Sequence, residues 1–157
     1  MKALRTRVFN NKEQVFCEWR KRWVRLTPEE WVRQQLLHRL VEQLGYPASF
    51  IAVEVPLPIV HRTSALRTSL RADAVIYDRQ MNPQMIIECK AETVALTQKT
   101  LDQAITYNRQ LQVPWLLLHN GPHTFVVLID GDEVSYPAAI PSYETLLNYQ
   151  PNSTNKG

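Results

Sequence analysis

The chain of 157 residues is 45% hydrophobic and 21% charged, with a formal net charge of +3. This composition is typical of a globular domain with its own core, and the small positive charge is weak evidence for a polyanionic partner. No apolar run approaches the length of a membrane span, and the basic N-terminus lacks the apolar stretch of a signal peptide, so neither a membrane protein nor a secreted protein is expected.

The chain shows no repeat and no low-complexity linker. We therefore expect one domain over residues 1–150, with a core over roughly 15–140 and a disordered tail at 151–157. The two cysteines, Cys17 and Cys89, lack the spacing of a metal site. Both are predicted to be reduced thiols of a cytoplasmic protein, with Cys89 in the core.

The first strong element is a helix after a basic segment. Residues 15–26, "VFCEWRKRWVRL", are predicted to be extended or irregular. Thr27 then suits a helix N-cap, Pro28 the first helical position and Glu30 the third position of a capping box. Apolar residues recur at helical spacing until Gly45, which ends the helix.

A pair of strands joined by a tight turn follows. "FIAVEVPLPIV" is predicted to be an edge strand, because Pro56 and Pro58 cannot donate to a neighbour. Residues 61–69 are polar and turn-prone. Residues 70–78, "LRADAVIYD", and 84–91, "QMIIECKA", are predicted to form a hairpin.

The C-terminal half alternates between helix and strand. Residues 100–113 are predicted to be a second helix, and "PWLLLHN" a strand buried on both faces. Another strand, "TFVVLID", and a short terminal helix in "PSYETLLNYQ" complete the order. The fold class that follows is α/β (α+β-like): a sandwich in which helices flank a mixed central β-sheet.

Three charged residues of the hairpin form a candidate site. Glu88 and Lys90 share one face of their strand because side chains alternate, and Asp73 lies on the neighbouring strand. Two carboxylates that converge on one point repel unless a cation lies between them. Mg²⁺ prefers such oxygen ligands, so the pattern predicts a metal site suited to phosphodiester hydrolysis.

"RADAV" followed by "IIECK" resembles the PD-(D/E)XK nuclease superfamily, although no proline precedes the aspartate. The longer order of "RKRWVRLTPEEWVRQQLL", these two strands and "DQAITYNRQLQVPWLLLHNG" is similar to the N-terminal nuclease domain of type I restriction enzyme R (HsdR) subunits, in a small stand-alone bacterial version. The similarity covers roughly residues 15–130. It implies a restriction-endonuclease-like fold and a Mg²⁺-dependent (or Mn²⁺-dependent) DNA endonuclease.

The resemblance also implies roles for individual residues. Asp73 and Glu88 would bind the metal ion, and Lys90 would position the water or stabilise the developing charge. Gln103 and Tyr107, four apart on one helix, match the Gln-x-x-x-Tyr element of part of the superfamily.

Further residues are assigned on weaker grounds. An acidic residue on the first helix often completes the metal site in this superfamily, and Glu30 is the candidate, with Glu54 as a second. Gln103 and Arg71 are candidates for contact with nucleic acid. The implied partners are DNA and either a second copy of the chain or other restriction-system subunits, with no membrane partner.

Other interpretations of the same residues remain open. The hairpin charges could be a surface ion pair, Glu30 could be a helix cap, and Gln103 with Tyr107 could be an ordinary helix face. The basic cluster at 20–25 is favoured as a solvated face with Trp19 and Trp23 packed inward. The whole chain could be a non-catalytic nucleic-acid-binding or assembly module, and it lacks the phosphate-binding loop of an ATP-driven motor.

Overall fold

A computed structural model describes residues 3–57 and 70–149. The chain begins with a three-stranded antiparallel sheet, here called the N-terminal sheet, of β1 (Thr6–Phe9), β2 (Lys12–Cys17) and β3 (Arg22–Arg25). Asn10 and Asn11 join β1 to β2 with φ of 50° and 60°. Asparagine tolerates this left-handed conformation, which two-residue hairpin turns require.

Helix α1 (Pro28–Leu44) has the ends that its sequence predicts. The Thr27 side chain accepts a hydrogen bond from the Glu30 N–H, and Gly45 closes the helix in the left-handed region with φ of 75°. A short 3₁₀ turn, Ala48–Phe50, leads into the main sheet.

The main sheet has six strands in sequential order: β4 (Ile51–Leu57), β5 (Leu70–Tyr77), β6 (Pro83–Cys89), β7 (Trp115–His119), β8 (Thr124–Asp130) and β9 (Glu133–Ser135). All neighbours are antiparallel except β6 and β7, which are parallel and joined through α2 (Gln98–Leu111). Helix α3 (Tyr143–Asn148) follows β9. The predicted mixed sheet with flanking helices is confirmed, and β4 is an edge strand as expected.

The sheet separates two apolar layers, because alternate residues of β6 point to opposite sides. Met85, Ile87 and Cys89 pack on the side of α1, whereas Ile86 packs on the side of α2. Both cysteines are free and buried. The opposite-face assignment made for this strand from sequence therefore holds.

The structure corrects the interpretation of the basic cluster, and several predicted segments lie outside the described residues. Trp19 packs on the core, as expected, but Trp23 lies on the outer face of the N-terminal sheet, and Arg20 is mostly buried instead of solvated. Pro58, the turn-prone segment 61–69 and the tail 151–157 lie outside the described residues. Within the described ranges, no helix is long and apolar enough to cross a membrane.

Candidate active site

The hairpin of β5 and β6 places two carboxyl groups side by side. Its antiparallel register pairs Ala74 with Ile87, so the next positions, Asp73 and Glu88, lie opposite each other. Asp73 Oδ2 accepts a hydrogen bond of 2.7 Å from the backbone N–H of Cys89. The Asp73 and Glu88 carboxyl groups lie within hydrogen-bonding reach of each other.

Both carboxyl groups are shielded from water, which makes the pair costly to ionise. Burial raises the pKa of Glu88, and the Asp73 carboxylate raises it further, to about 8. Burial also raises the pKa of Asp73, against the opposing effects of the Cys89 N–H and the Arg33 guanidinium. Glu88 Oε1 is buried and has no hydrogen-bond partner among the described residues. A pair of this kind is stabilised by a shared proton or by a cation.

Lys90 directly follows β6, and its backbone N–H donates to the His119 carbonyl oxygen at 2.9 Å. The Lys90 charge lowers the pKa of both Asp73 and Glu88, which places its ammonium group near the carboxyl pair. The structure thus brings together Asp73, Glu88 and Lys90, which we call the hairpin cluster.

Glu30 is not part of this cluster. Its two carboxylate oxygens form ion pairs with Arg20 and Arg33, and Gln34 Nε2 donates to it at 2.9 Å. From the sequence we expected Glu30 to complete the metal site. In the structure, guanidinium groups engage both of its carboxylate oxygens instead. The capping interpretation holds only in part, since its backbone N–H binds Thr27 while its side chain binds the arginines.

Glu29 is the acidic residue of α1 that interacts with the hairpin cluster. Its carboxyl end is partly desolvated although the residue is exposed. Burial raises the pKa of Glu29, the Asp73 charge raises it further, and Lys90 and Arg33 lower it. Glu29 was not predicted as a site residue; the signal was its place beside Glu30 in the same "PEEW".

Basic residues line the side of the cluster toward β4. Arg33 Nη1 lies 3.4 Å from Asp73 Oδ1, and Arg33 Nη2 lies 3.4 Å from Glu54 Oε1. Arg71 is 63% exposed, and its Nη1 lies 3.8 Å from Glu54 Oε2. Glu54, the second acidic candidate, therefore belongs to a network of arginines at the rim of the site.

The two α2 candidates differ in position. Tyr107 is half-buried and packs against the apolar layer on the α2 side, and burial followed by the charges of Glu88 and Asp73 raises its pKa. Gln103, one turn earlier, is exposed on the helix surface. The charges of the carboxyl pair thus act on Tyr107, whereas Gln103 is open to solvent.

The described residues contain no group of three or more His, Cys, Asp or Glu side chains arranged to hold a metal ion. The carboxyl pair is nevertheless suited to one divalent cation, because two oxygen ligands converge and Glu88 Oε1 has no other partner. Mg²⁺ keeps several waters and needs only one or two protein carboxylates. A cleft of about 580 Å³ reaches Asp73 and Glu29 from the surface.

The fold has counterparts among solved structures. A fragment of a putative HsdR subunit of a type I restriction enzyme from Vibrio vulnificus YJ016 superposes with a TM-score of 0.58 at 17% identity, covering 78% of this chain and 25% of that chain. A DrdV–DNA complex gives a TM-score of 0.45 at 15% identity, covering 80% of this chain and 12% of that chain. This chain therefore spans about a quarter of the HsdR fragment, and no curated protein matches it.

The mixed sheet with flanking helices therefore has the fold of this HsdR fragment. The family model for the type I restriction enzyme R protein N terminus (HSDR_N) matches residues 28–141. The chain belongs to this family, so the resemblance found in the sequence is confirmed.

Proposed function

We propose that the chain is a Mg²⁺-dependent or Mn²⁺-dependent hydrolase of DNA phosphodiester bonds. The observation that carries this proposal is the shielded carboxyl pair of Asp73 and Glu88, with an unpartnered oxygen and Lys90 beside it. The family supports DNA as the substrate, because it is that of the N terminus of a restriction enzyme subunit.

The proposed roles follow from the positions of the side chains. Asp73 and Glu88 would hold the metal ion, which when bound supplies Lewis-acid polarisation and lowers the pKa of a water. Lys90 donates a hydrogen bond to the attacking water or to a phosphate oxygen that gains negative charge. Tyr107 orients the pair from α2, and the exposed Gln103 and Arg71 contact the DNA backbone.

A second candidate function is a non-catalytic nucleic-acid-binding or assembly module. The observation that favours it is the Arg33 guanidinium, 3.4 Å from Asp73, because this cation partly neutralises the carboxyl pair without a metal ion. The two functions differ in one property: only the hydrolase binds a divalent ion through Asp73 and Glu88.

Two single-residue variants test the hydrolase. Glu88→Gln removes a metal ligand, so we expect it to abolish Mn²⁺ binding in calorimetry and cleavage of plasmid DNA. Lys90→Ala removes the group that stabilises charge, so we expect cleavage to fall about 100-fold or more, with Mn²⁺ binding retained. Gel analysis of supercoiled plasmid in Mg²⁺ or Mn²⁺ measures the cleavage.

The matched controls are Asp132→Asn and Lys99→Ala, which make the same chemical changes at exposed positions away from the cluster. Both should bind Mn²⁺ and cleave like the unaltered chain. If the unaltered chain neither binds Mn²⁺ nor cleaves any DNA, the non-catalytic module is the correct function.

We also propose that the chain acts in the cytoplasm as a homodimer or with other restriction-system subunits. The support is the family, which is that of the N terminus of the type I restriction enzyme R protein. Light scattering on the purified chain, with and without DNA, would show a monomer in both states if the homodimer is wrong.

A further inference from the structure

The outer face of the N-terminal sheet carries alternating arginines and aromatic rings. Register places Arg7 opposite Gln14 and Gln14 opposite Arg25, in a row across all three strands. The neighbouring row joins Phe16 to Trp23, and the Phe16 N–H donates to the Arg5 carbonyl oxygen. We call this surface the arginine face and define it by six residues: Arg5, Arg7, Phe9, Phe16, Trp23 and Arg25.

On the opposite face of the same sheet, the C-terminal end of β2 packs in the core. Val15 and Cys17 are 0% and 1% exposed, whereas Arg5, Arg7 and Arg25 on the other face are all exposed. The inner side chains of β2 therefore attach the sheet to the core, and its arginine face is exposed to solvent. This region precedes the residues that the family model matches, which begin at residue 28.

Aromatic rings hold two of the guanidinium groups in place. Arg7 Cζ lies 4.3 Å from the centroid of Trp23 and 4.9 Å from that of Phe9. Arg5 Cζ lies 4.6 Å from the centroid of Phe16 and 5.6 Å from that of Trp23. A guanidinium over a ring keeps its charge and most of its edge N–H donors, while it loses little side-chain freedom on binding an anion.

Within residues 3–57 and 70–149, no carboxylate neutralises the charges of the arginine face. Among the described residues, no ion pair engages Arg5, Arg7 or Arg25, and the side-chain contact of Arg7 Nε is the uncharged Gln14 Oε1 at 2.7 Å. In contrast, Arg20 and Arg33 are mostly buried in ion pairs with Glu30. Three exposed arginines without a carboxylate partner form a surface that suits a polyanion.

The arginine face is continuous with the candidate active site. Trp23 and Arg25 line the same cleft that reaches Glu29 and Asp73. A polyanion lying along the sheet would therefore extend directly toward the hairpin cluster.

From these observations we propose that the arginine face binds the phosphate backbone of double-stranded DNA and guides it to the hairpin cluster. The choice of DNA rests on the proposed function. The binding is to the backbone and not to stacked bases, because the guanidiniums of Arg5 and Arg7 already cover the aromatic rings. Phosphate contacts position DNA without reading its sequence.

The test is DNA binding by the full chain in EDTA, so that no cleavage occurs. Fluorescence anisotropy with a labelled duplex measures the affinity over a range of salt concentrations. The triple variant Arg5→Gln, Arg7→Gln, Arg25→Gln should weaken binding at least 10-fold and reduce the slope of log affinity against log salt by about 3, roughly one per lost phosphate contact. The control triple, Arg79→Gln, Lys99→Gln, Arg109→Gln, changes the same charge at exposed positions elsewhere.

The proposal holds if the first triple loses the affinity and slope, the control keeps both, and circular dichroism shows equal folding. Equal losses in the two triples would overturn it, as would tighter binding of single-stranded DNA or displacement of the duplex by polyglutamate. An unaltered chain that binds no DNA would overturn the proposed function as well. Binding through the arginine face without any metal-dependent cleavage would overturn only the hydrolase.

Discussion

Two adjacent glutamates of α1 have different electrostatic environments. Successive helical residues are rotated by about 100° around the axis. Glu30 therefore faces Arg20 and Arg33, whereas Glu29 lines the cleft that it shares with Asp73 and is affected by the Asp73 charge. The charge of Glu30 is compensated by guanidinium groups in a largely buried environment. Glu29 instead adds negative charge to a site whose carboxyl groups already repel an anion.

This difference predicts that the same substitution, glutamate to glutamine, has different effects at the two positions. Glu30→Gln leaves two guanidiniums without their carboxylate and should lower the free energy of unfolding by about 3 kcal/mol. Glu29→Gln should leave stability nearly unchanged and weaken Mn²⁺ binding by about 10-fold, as expected for a residue near the ligands. Urea unfolding and calorimetry measure the two effects. Equal destabilisation by both variants would show that Glu29 is also a structural residue.

The raised pKa of Glu88 predicts an unusual pH dependence of stability. The unfolded side chain ionises near its ordinary value of 4.5, whereas the folded one does so near 8. Between these values the folded state holds a proton that the unfolded state has lost. Without metal, stability should therefore fall as pH rises through this interval, by up to ~1.4 kcal/mol per pH unit for one proton.

Urea unfolding in EDTA at a series of pH values measures this slope. Glu88→Gln cannot ionise, so its stability should lack this fall, while the control Asp132→Asn should retain it. Mn²⁺ added at pH 8 should restore the stability of the unaltered chain, since the ion replaces the lost proton. A stability that rises with pH in EDTA would contradict the raised pKa.

At the scale of elements, local signals made most of the main sheet and α1 predictable. The N-cap at Thr27 and the left-handed Gly45 are encoded within one turn of each helix end. The alternation in "MIIEC" likewise predicts the two faces of β6. These features depend on neighbours in sequence, and the structure has them as expected.

Residues 15–26 were expected to be extended or irregular, but their pairing into the N-terminal sheet and the strand before them were not predicted, although the turn left a signal. "FNNK" places two asparagines between apolar segments, and both adopt the positive φ of a two-residue hairpin turn. The outward position of Trp23 was harder to predict. Its side depends on the register of β2 with β3 and on the burial of Val15 and Cys17, which are set by packing against the rest of the chain.

The candidate site was predictable in part, because its members come from distant segments. The hairpin brings Asp73 and Glu88 together through local pairing, which the sequence pattern contains. Glu30 is held away from the hairpin cluster by its ion pair with Arg20, which comes from another segment. The position of Arg33 near Asp73 depends on how α1 packs against the sheet. Such packing is not encoded in the spacing of the motif.

At the scale of the whole molecule, the N-terminal sheet is part of the core. Val15 is 0% exposed and Cys17 is 1% exposed, Trp19 packs on the α1 side of the main sheet, and Arg20 compensates the charge of Glu30. The same sheet therefore contributes both to stability through its inner face and to the proposed DNA contact through its outer face.

Deletion of residues 1–25 should therefore destabilise the remaining chain, even though the family model begins at residue 28. The deletion exposes apolar core surface and leaves Glu30 without Arg20, and each lost core side chain costs about 1.5–3 kcal/mol of burial. The expected result is a chain that is aggregated or melts at a much lower temperature, measured by circular dichroism and size-exclusion chromatography. Deletion of residues 1–3 is the control and should leave the melting temperature unchanged. If the longer deletion melts like the intact chain, the N-terminal sheet is a separable appendage and its inner-face contacts contribute little to folding.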